Sequence, residues 1–316
     1  MKKWFVGILL ILIAGFVICI YLIIPSHLII TRTIPVLATQ EGTYRVLSNQ
    51  AKWMRWWRNA AGQPSEKASS LMYNGYTFRL TKHQQNFIGV EITKGDFKLN
   101  SIIHVLNFRY DSTLVIWKSD SMYTGMDPIS RLFSFSKAVK ISEGMQGALK
   151  NFKPFVDSPE NVYNGSIYKA STRDTFLLSA RFTSVSYPAT AEIYGYFDAV
   201  KKEIIRQKGI PISSPLLDVQ KLKADSFETQ VAIPTNIKLK DAGITFYRRM
   251  EPGNFMAVEV RGGTNTVDDA IKQLHLYILD YGKVQMAKGF QILETDRTQE
   301  PDTLKWLTKI YIPVVE

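Results

Sequence analysis

The sequence predicts an α+β protein, with one transmembrane helix followed by two halves that each combine antiparallel strands with a few helices. Three observations carry that prediction. An unbroken apolar run, WFVGILLILIAGFVICIYLII, fills Trp4–Ile24 with no charge in 21 residues. Behind it, residues 27–157 read as a strand, a helix, a run of strands and a long helix. Residues 176–316 then carry a strand–helix–strand–strand pattern twice.

At about 1.5 Å per residue, the first run makes a helix roughly 30 Å long, enough to cross a hydrocarbon core. A cleaved signal peptide would have an apolar core of about 7–15 residues and then a small-x-small site. Here Pro25, Ser26, His27 and Leu28 follow, and Phe16, Val17 and Ile18 before Cys19 are too bulky for lipoprotein processing. Residues 1–26 are therefore expected to be a permanent single-pass anchor. Lys2 and Lys3 precede the span and Arg32 is the first cation after it. The positive-inside rule then puts the N-terminus in the cytoplasm and the soluble domains outside it. Cys19 is the one cysteine, which leaves the body without disulfides or thiolate metal sites.

The net charge is +11, from 39 Lys+Arg and 28 Asp+Glu, and it is unevenly spread. Residues 26–160 hold 17 basic and 10 acidic side chains, whereas residues 161–316 hold 20 and 18. A basic first half can meet anionic lipid headgroups, at about 1 kcal/mol per nearby cation. Scattered, solvated lysines are the plainer reading. No basic recognition helix is present, so nucleic acid is not an expected partner.

In the first half, His27–Val36 is rich in β-branched residues and reads as a strand. Tyr44, Leu47, Ala51 and Met54 then space an amphipathic helix capped by Thr39. Strands are expected at 72–80, 86–93, 97–108 and 114–123. The closing helix puts Val139, Met145, Leu149 and Phe152 on one stripe, with Pro154 helping to end it. Trp53, Trp56 and Trp57 are expected to pack on the sheet, with one of the adjacent pair pointing away, free to touch lipid headgroups. His83 and His104 have no neighbour at metal-site spacing.

The opening IITRTIPV, the Trp53-x-x-Trp56-Trp57 group, and MDPISRLF leading to MQGALKNFK resemble the helix-grip domains of the START-like polyketide-cyclase superfamily. The resemblance covers residues 27–157. It implies a curved sheet wrapped around the last helix, with an apolar cavity between them for lipids, polyketides or other greasy molecules.

A polar linker is expected at 158–175. Beyond it, Phe176–Val185 is a strand, and Ala191–Lys208 a helix with Ile193, Phe197, Val200 and Ile204 on one face. Gly209 stops that helix as a C′ glycine, and LLDVQKL and FETQVAIPT are extended. The pattern recurs as ITFYRRM and NFMAVEV, a helix over Val267–Tyr281 striped by Ala270, Leu274, Tyr277 and Tyr281, then GFQILET and LTKIYIPVV. Gly209 and Gly282 stand 73 residues apart, Pro234 and Pro313 stand 79 apart, and VAIPT matches IYIPV. Together these indicate a duplication.

MEPGNFMAVEVRGG, the helix after it and TKIYIPV resemble the gyrase-inhibitor-like domain, which also serves as the effector-binding domain of AraC- and MerR-type transcription activators. The resemblance covers residues 176–316. It implies two pseudo-symmetric modules with a pocket between them that binds diverse small molecules. No DNA-binding helix–turn–helix precedes it here, so the usual regulatory output is not expected.

In that family the last strand presents an acidic residue before its apolar-Tyr-apolar-Pro run, facing the pocket and pairing with cationic ligands. Lys309 occupies the matching position. Strand alternation puts Lys309 and Tyr311 on one face, opposite Ile310 and Ile312. A pocket ammonium would favour an anionic or hydrogen-bonding ligand. At an exposed edge, Lys309 would instead pair with Glu294 or another carboxylate. Tyr311, Lys309, Glu294, Phe255 and Trp306 are the candidate ligand-binding residues.

The chain has no GxSxG elbow, phosphate loop, HExxH or dinucleotide fingerprint, and its histidines are scattered at 27, 83, 104 and 275. No catalytic residue, metal or cofactor is assigned. Some gyrase-inhibitor-like relatives are hydrolases that use Tyr and Glu in the pocket. Tyr311 with Glu294 or Glu259 therefore keeps a membrane-tethered hydrolase or cyclase as the alternative. The expected function is binding of a hydrophobic or amphipathic small molecule at the cell envelope, for sensing, sequestration or protection, with membrane lipid as a second partner.

Overall fold

A computed structural model describes residues 2–64, 71–84, 87–173, 175–223 and 226–315. The chain forms two compact units, Met1–Ser158 and Pro159–Glu316. Both mix helices with a curled antiparallel sheet, so the fold is α+β.

The first unit begins with α1 (Lys2–Ile23), whose Trp4–Ile23 stretch has a mean hydropathy of 3.1 and is long and apolar enough to cross a membrane. The unit continues through β1 (His27–Leu28), β2 (Thr31–Val36), α2 (Gln40–Ser48), α3 (Gln50–Trp56), β3 (Leu71–Tyr73) and β4 (Tyr76–Gln84). It ends with β5 (Phe87–Lys94), β6 (Phe97–Arg109), β7 (Ser112–Ser119), β8 (Met122–Tyr123) and α4 (Pro128–Val156). Six strands form one sheet in the order β2-β7-β6-β5-β4-β3, while β1 pairs with β8 apart from it. The strand expected over 27–36 is therefore split at Ile29–Ile30. Asn74 and Gly75, both with positive φ, close the tight β3–β4 hairpin. His83 lies in β4 opposite Ile88, and its side chain is outside the described residues.

Thr39 caps α2 as expected, its hydroxyl accepting from the Gly42 N–H. The single helix predicted there is interrupted at Asn49, which ends α2 in an extended conformation and caps α3 by accepting from the Ala51 N–H. The next break corrects the tryptophan reading. Trp57 is the extended cap of α3, so helical periodicity stops at Trp56 and both neighbours can turn inward. Trp53, Trp56 and Trp57 are all buried, and none is left to touch headgroups. They stack on one another and meet Trp117, Phe78 and Phe152 at ring separations of 4.9–6.4 Å. These rings fill the middle of the space between sheet and α4, where an apolar cavity was expected, and an open cleft of about 580 Å³ remains to one side between β1–β2 and α4, lined by Ile30, Phe135, Ala138 and Val139.

Helix α4 starts at the Asp127 cap and Pro128, so MDPISRLF is its first part, and it runs through Pro154 to Val156. Its buried stripe is Ala138, Ile141, Met145, Leu149 and Phe152. Val139, expected on that stripe, is 40 % exposed. Gly144 admits the sheet side chains, because a Cβ there would stand 2.9 Å from Cζ of the fully buried Phe78. Alanine usually gains about 0.5–1 kcal/mol over glycine inside a helix. Gly144→Ala is instead expected to destabilise this unit by about 1–3 kcal/mol through overpacking. Guanidinium unfolding followed by tryptophan fluorescence measures it, and a gain in stability would show that Phe78 can move aside.

The second unit contains α5 (Pro159–Tyr163), β9 (Ile167–Thr172), β10 (Thr175–Ser184), α6 (Thr190–Arg206), β11 (Leu216–Lys223) and β12 (Ser226–Thr235). It continues with β13 (Thr245–Met250), β14 (Gly253–Arg261), α7 (Thr264–Asp280), β15 (Val284–Gln285), β16 (Phe290–Leu293) and β17 (Leu307–Val315). The main sheet order is β13-β10-β12-β11-β16-β17-β14-β9, with β15 joined to β17. This order is a palindrome about the β11–β16 seam. Each module is therefore strand–strand–helix–strand–strand, as read for the second module and one strand longer than read for the first. The two modules exchange their first strands, with β9 pairing with β14 and β13 with β10.

The segment 158–175, expected as a linker, holds α5 and β9, and β9 is the missing counterpart of β13. The helix stops also differ from expectation. In α6 the left-handed residue is Lys208, and the Gly209 N–H donates back to the Ile204 carbonyl. In α7 Gly282 itself is left-handed. The matching pair is thus Lys208 and Gly282. Helices α6 and α7 cover one sheet face with two cores, Leu178, Phe182, Phe197 and Ile204 in one, Met256, Leu274, Ile310 and Val314 in the other. Among the described residues the opposite sheet face carries no helix.

Candidate functional site

The helix-free face of the second unit collects the side chains that alternate away from α6 and α7. Along β17, Ile310, Ile312 and Val314 are buried, whereas Lys309, Tyr311 and Pro313 are partly exposed on the other side. Antiparallel register places Phe290 opposite Tyr311, and Phe255 opposite Pro313. The Phe290 and Tyr311 rings stack with centroids 5.5 Å apart and planes within 3°. Phe255 stands edge-on to both, at 5.7 and 6.0 Å. Beside them Leu177, Leu216 and Ala232 form a small apolar cluster with Met250, Phe290 and Ile292 packed on it. The result is an aromatic and aliphatic shelf.

Two open clefts flank the ridge formed by Leu216, Met250 and Phe290. One, of about 200 Å³, reaches Tyr311, Ile292, Ser213 and Ser214. The other, of about 190 Å³, reaches Leu177, Ala232, Asp218 and Lys288. The face thus has an apolar middle and polar ends, related by the palindromic sheet order.

At the Tyr311 end, five polar side chains form a chain. Ser214 Oγ donates to Glu294 Oε2 at 2.8 Å, and Lys309 Nζ lies 3.0 Å from Glu294 Oε1 and 3.5 Å from Glu259 Oε1. The Tyr168 hydroxyl donates to Glu259 Oε1 at 3.4 Å. Burial, followed by the hydrogen bond with Tyr311 and the charge of Glu259, raises the Tyr168 phenol. The Ser214 hydrogen bond and then Lys309 hold the Glu294 carboxyl below its ordinary value, and Glu294 raises the Lys309 ammonium. Within these five side chains one ammonium faces two carboxylates, a net negative charge, while Arg173 brings a cation to the lining of the adjacent cleft. Lys309 is therefore paired within the network, which is the second of the two readings its position allowed.

At the other end, Arg181 Nη1 lies 3.2 Å from Glu228 Oε2 and Arg181 Nη2 donates to Gln230, while Lys288 stands 3.7 Å from Glu228. Burial raises the carboxyl of Asp218, which accepts from Gln220.

The structure brings Tyr311, Lys309, Glu294 and Phe255 to this face. Trp306 is placed elsewhere. It is buried, its indole N–H donates to the Glu300 carbonyl, and Arg297 covers its ring at 4.9 Å. Arg297 also donates to Thr308, whose side chain shares the Ile310 face. Phe290 and Tyr168 escaped the sequence reading. Alternation within GFQILET was a usable signal for Phe290, whereas Tyr168 lay in the supposed linker.

The arrangement suits binding better than acid–base chemistry. Glu294, held ionised and bonded to Ser214 and Lys309, is a weak proton acceptor. Among the described residues Tyr311 is not hydrogen-bonded directly to Glu294 or Glu259, and Tyr168 stands between Tyr311 and Glu259. Because the Glu294 pKa is lowered, its contribution to stability exists above the ordinary carboxylate pKa and is lost as pH falls through the lowered one. The raised Lys309 contributes below the ordinary lysine pKa and is lost as pH rises through the raised value. The pair thus persists between those limits. Lys309→Met leaves Ser214 as the main group holding the carboxyl down. The acid limb of this unit's melting temperature against pH is then expected to move to higher pH, and an unmoved limb would mean the ion pair contributes no pH-dependent stability.

No protein-family model matches the chain, and no curated protein matches it in sequence. Solved structures show likeness in parts. The C-terminal domain of EcmrR is 13 % identical with a TM-score of 0.43, over 48 % of this chain and 98 % of that one. SAV2435 bound to tetraphenylphosphonium is 16 % identical with a TM-score of 0.34, over 48 % and 94 %. A START superfamily protein from Mycobacterium smegmatis is 15 % identical with a TM-score of 0.25, over 39 % and 97 %.

Proposed function

We propose that this protein is a membrane-anchored binder of small molecules, and that the helix-free face of the second unit is its binding surface. The observation that carries the reading is the Phe290–Tyr311 stack, open to two clefts and bordered by a network with a net negative charge. Such a shelf offers flat apolar area to an aromatic or aliphatic ligand body, and the Glu259–Glu294 border favours a neutral or cationic headgroup over an anionic one. Leu216 of the first module and Met250 and Phe290 of the second form the ridge shared by both clefts, so a ligand laid across it would touch both modules.

Anchoring rests on the uncharged length of α1, and the N-terminus-inside orientation rests on Lys2 and Lys3 set against Arg32. On this reading the second unit sequesters or senses hydrophobic molecules outside the cytoplasm without contacting DNA. Native mass spectrometry of the full chain released from detergent tests it. An apolar or amphipathic small molecule retained by the native chain and lost from Phe290→Ala is the expected result. A chain that retains nothing and takes up no added aryl-ammonium compound would contradict it.

A further inference from the structure

The end of α1 is fastened to the body of the first unit. The Tyr21 hydroxyl donates to the Met126 carbonyl at 2.6 Å, and the Arg131 guanidinium stands 4.4 Å above the Tyr21 ring. Arg131 also donates to the Ile24 carbonyl at 2.8 Å, and the Thr124 hydroxyl to the Pro25 carbonyl at 2.8 Å. Ile20 and Ile24 are buried by this docking. The other side of the same turn is bare, with Leu22 80 % and Ile23 71 % exposed. Beyond the contact, Met126, Ile129 and Phe133 are 83 %, 66 % and 67 % exposed.

Isolated exposed apolar residues need no explanation, but these belong to one helix face. Ile129, Leu132 and Phe133 stand at i, i+3 and i+4 near the start of α4, and Lys137 and Lys140 follow on exposed turns. An apolar face with cations close by is the pattern of a helix lying in a lipid interface. Its position next to the exit of the apolar span decides the occupant, because a helix tied to that exit by Arg131 and Tyr21 is held at the depth where the span leaves the hydrocarbon.

We infer that the first three turns of α4, with Met126, form a second membrane contact, seated in the headgroup–acyl boundary of the bilayer that α1 crosses. The inference rests on the anchoring proposed above. It makes the first unit a body docked on the lipid surface at two points.

The full chain, with Cys19→Ser to remove the native thiol, is reconstituted in phosphatidylcholine–phosphatidylglycerol vesicles. Single cysteines replace Leu22, Ile129, Phe133 or Tyr110 and carry an environment-sensitive fluorophore. Tyr110 is 66 % exposed in the β6–β7 turn and serves as the aqueous control. The expected result is a blue-shifted emission, quenched by nitroxide-bearing acyl chains, at Leu22→Cys, Ile129→Cys and Phe133→Cys but not at Tyr110→Cys. Quenching at Leu22→Cys alone would overturn the second contact and leave the anchor standing. No quenching at any site would overturn the anchor and the contact together. A blue shift at Phe133→Cys without lipid quenching would show the face covered by another copy of the chain, and would also overturn the inference.

Discussion

Replacing Trp53 with alanine is expected to cost the first unit about 3–5 kcal/mol of stability. Trp53 has no exposed surface, and it touches Trp56, Trp57 and Trp117 at ring separations of 4.9, 5.7 and 6.4 Å. Its indole N–H donates to the Leu47 carbonyl at 2.7 Å, so the ring also fastens α3 to the end of α2. Truncation would remove the transfer free energy of a large ring, open a cavity among three neighbouring indoles, and leave a backbone acceptor without its partner. Denaturant unfolding in nonionic detergent measures the loss. Five of the six tryptophans lie in this unit, so intrinsic fluorescence reports mainly on it. A loss under about 1 kcal/mol would mean that the space between sheet and α4 can collapse or is only loosely filled, and would reopen the case for a ligand cavity there.

The second large effect concerns the binding face. Phe290→Ala is expected to lower affinity for an aryl-trimethylammonium ligand by about tenfold or more, the usual scale for a buried aromatic anchor. The reason is geometric. Phe290 stacks on Tyr311, stands edge-on to Phe255, and forms part of both clefts. Removing it would take away the ridge that presents apolar area to either side. Calorimetric titration of the full chain in detergent reads the change. Trp306→Phe is the matched control, since Trp306 is buried under Arg297 and on the Ile310 side of the sheet, and it should leave affinity within about threefold of the native chain. Equal losses in both variants would point to general loosening of the unit.

The parts of the fold that the sequence made legible are those with strong local period. The α6 stripe Ile193, Phe197, Val200 and Ile204 and the alternation across Ile310, Tyr311 and Ile312 appear as expected, whereas the α7 stripe is centred on Val267, Leu274 and Ile278, with Ala270 and Tyr277 at its edge and Tyr281 beyond the helix end. The duplication was visible because Pro234 and Pro313 end equivalent strands. Strand β9 was not visible. Its residues IYKAST are only partly buried, and it forms by pairing with β14 more than 80 residues away. No local pattern encodes such an exchange. With β9 went Tyr168, and hence the link between Glu259 and Tyr311.

Two misreadings have a shared cause, extending a regular period past the end of its element. Trp57 sits one residue beyond α3 in extended geometry, so the helical rule that would send it outward no longer applies. At Gly209 the left-handed step falls one residue earlier, on Lys208, and the duplicated helices align there. Trp306 is the reverse case. It has the same parity as Thr308 and Ile310, and alternation alone would have kept it off the Tyr311 face. The pairing of Lys309 with Glu294 was one of the two readings its position allowed; the second partner, Glu259, comes from the neighbouring strand β14 and was not named as a partner.

The helix-free face of the second unit is proposed to bind an apolar body and to prefer a positive headgroup. The most direct test is a calorimetric titration of the full chain with an aryl-trimethylammonium ion and the sulfonate bearing the same aryl group. The cation is expected to bind at least about tenfold more tightly than the anion, a difference of about 1.4 kcal/mol. Equal or tighter binding of the anion, or binding of neither ion, would contradict it.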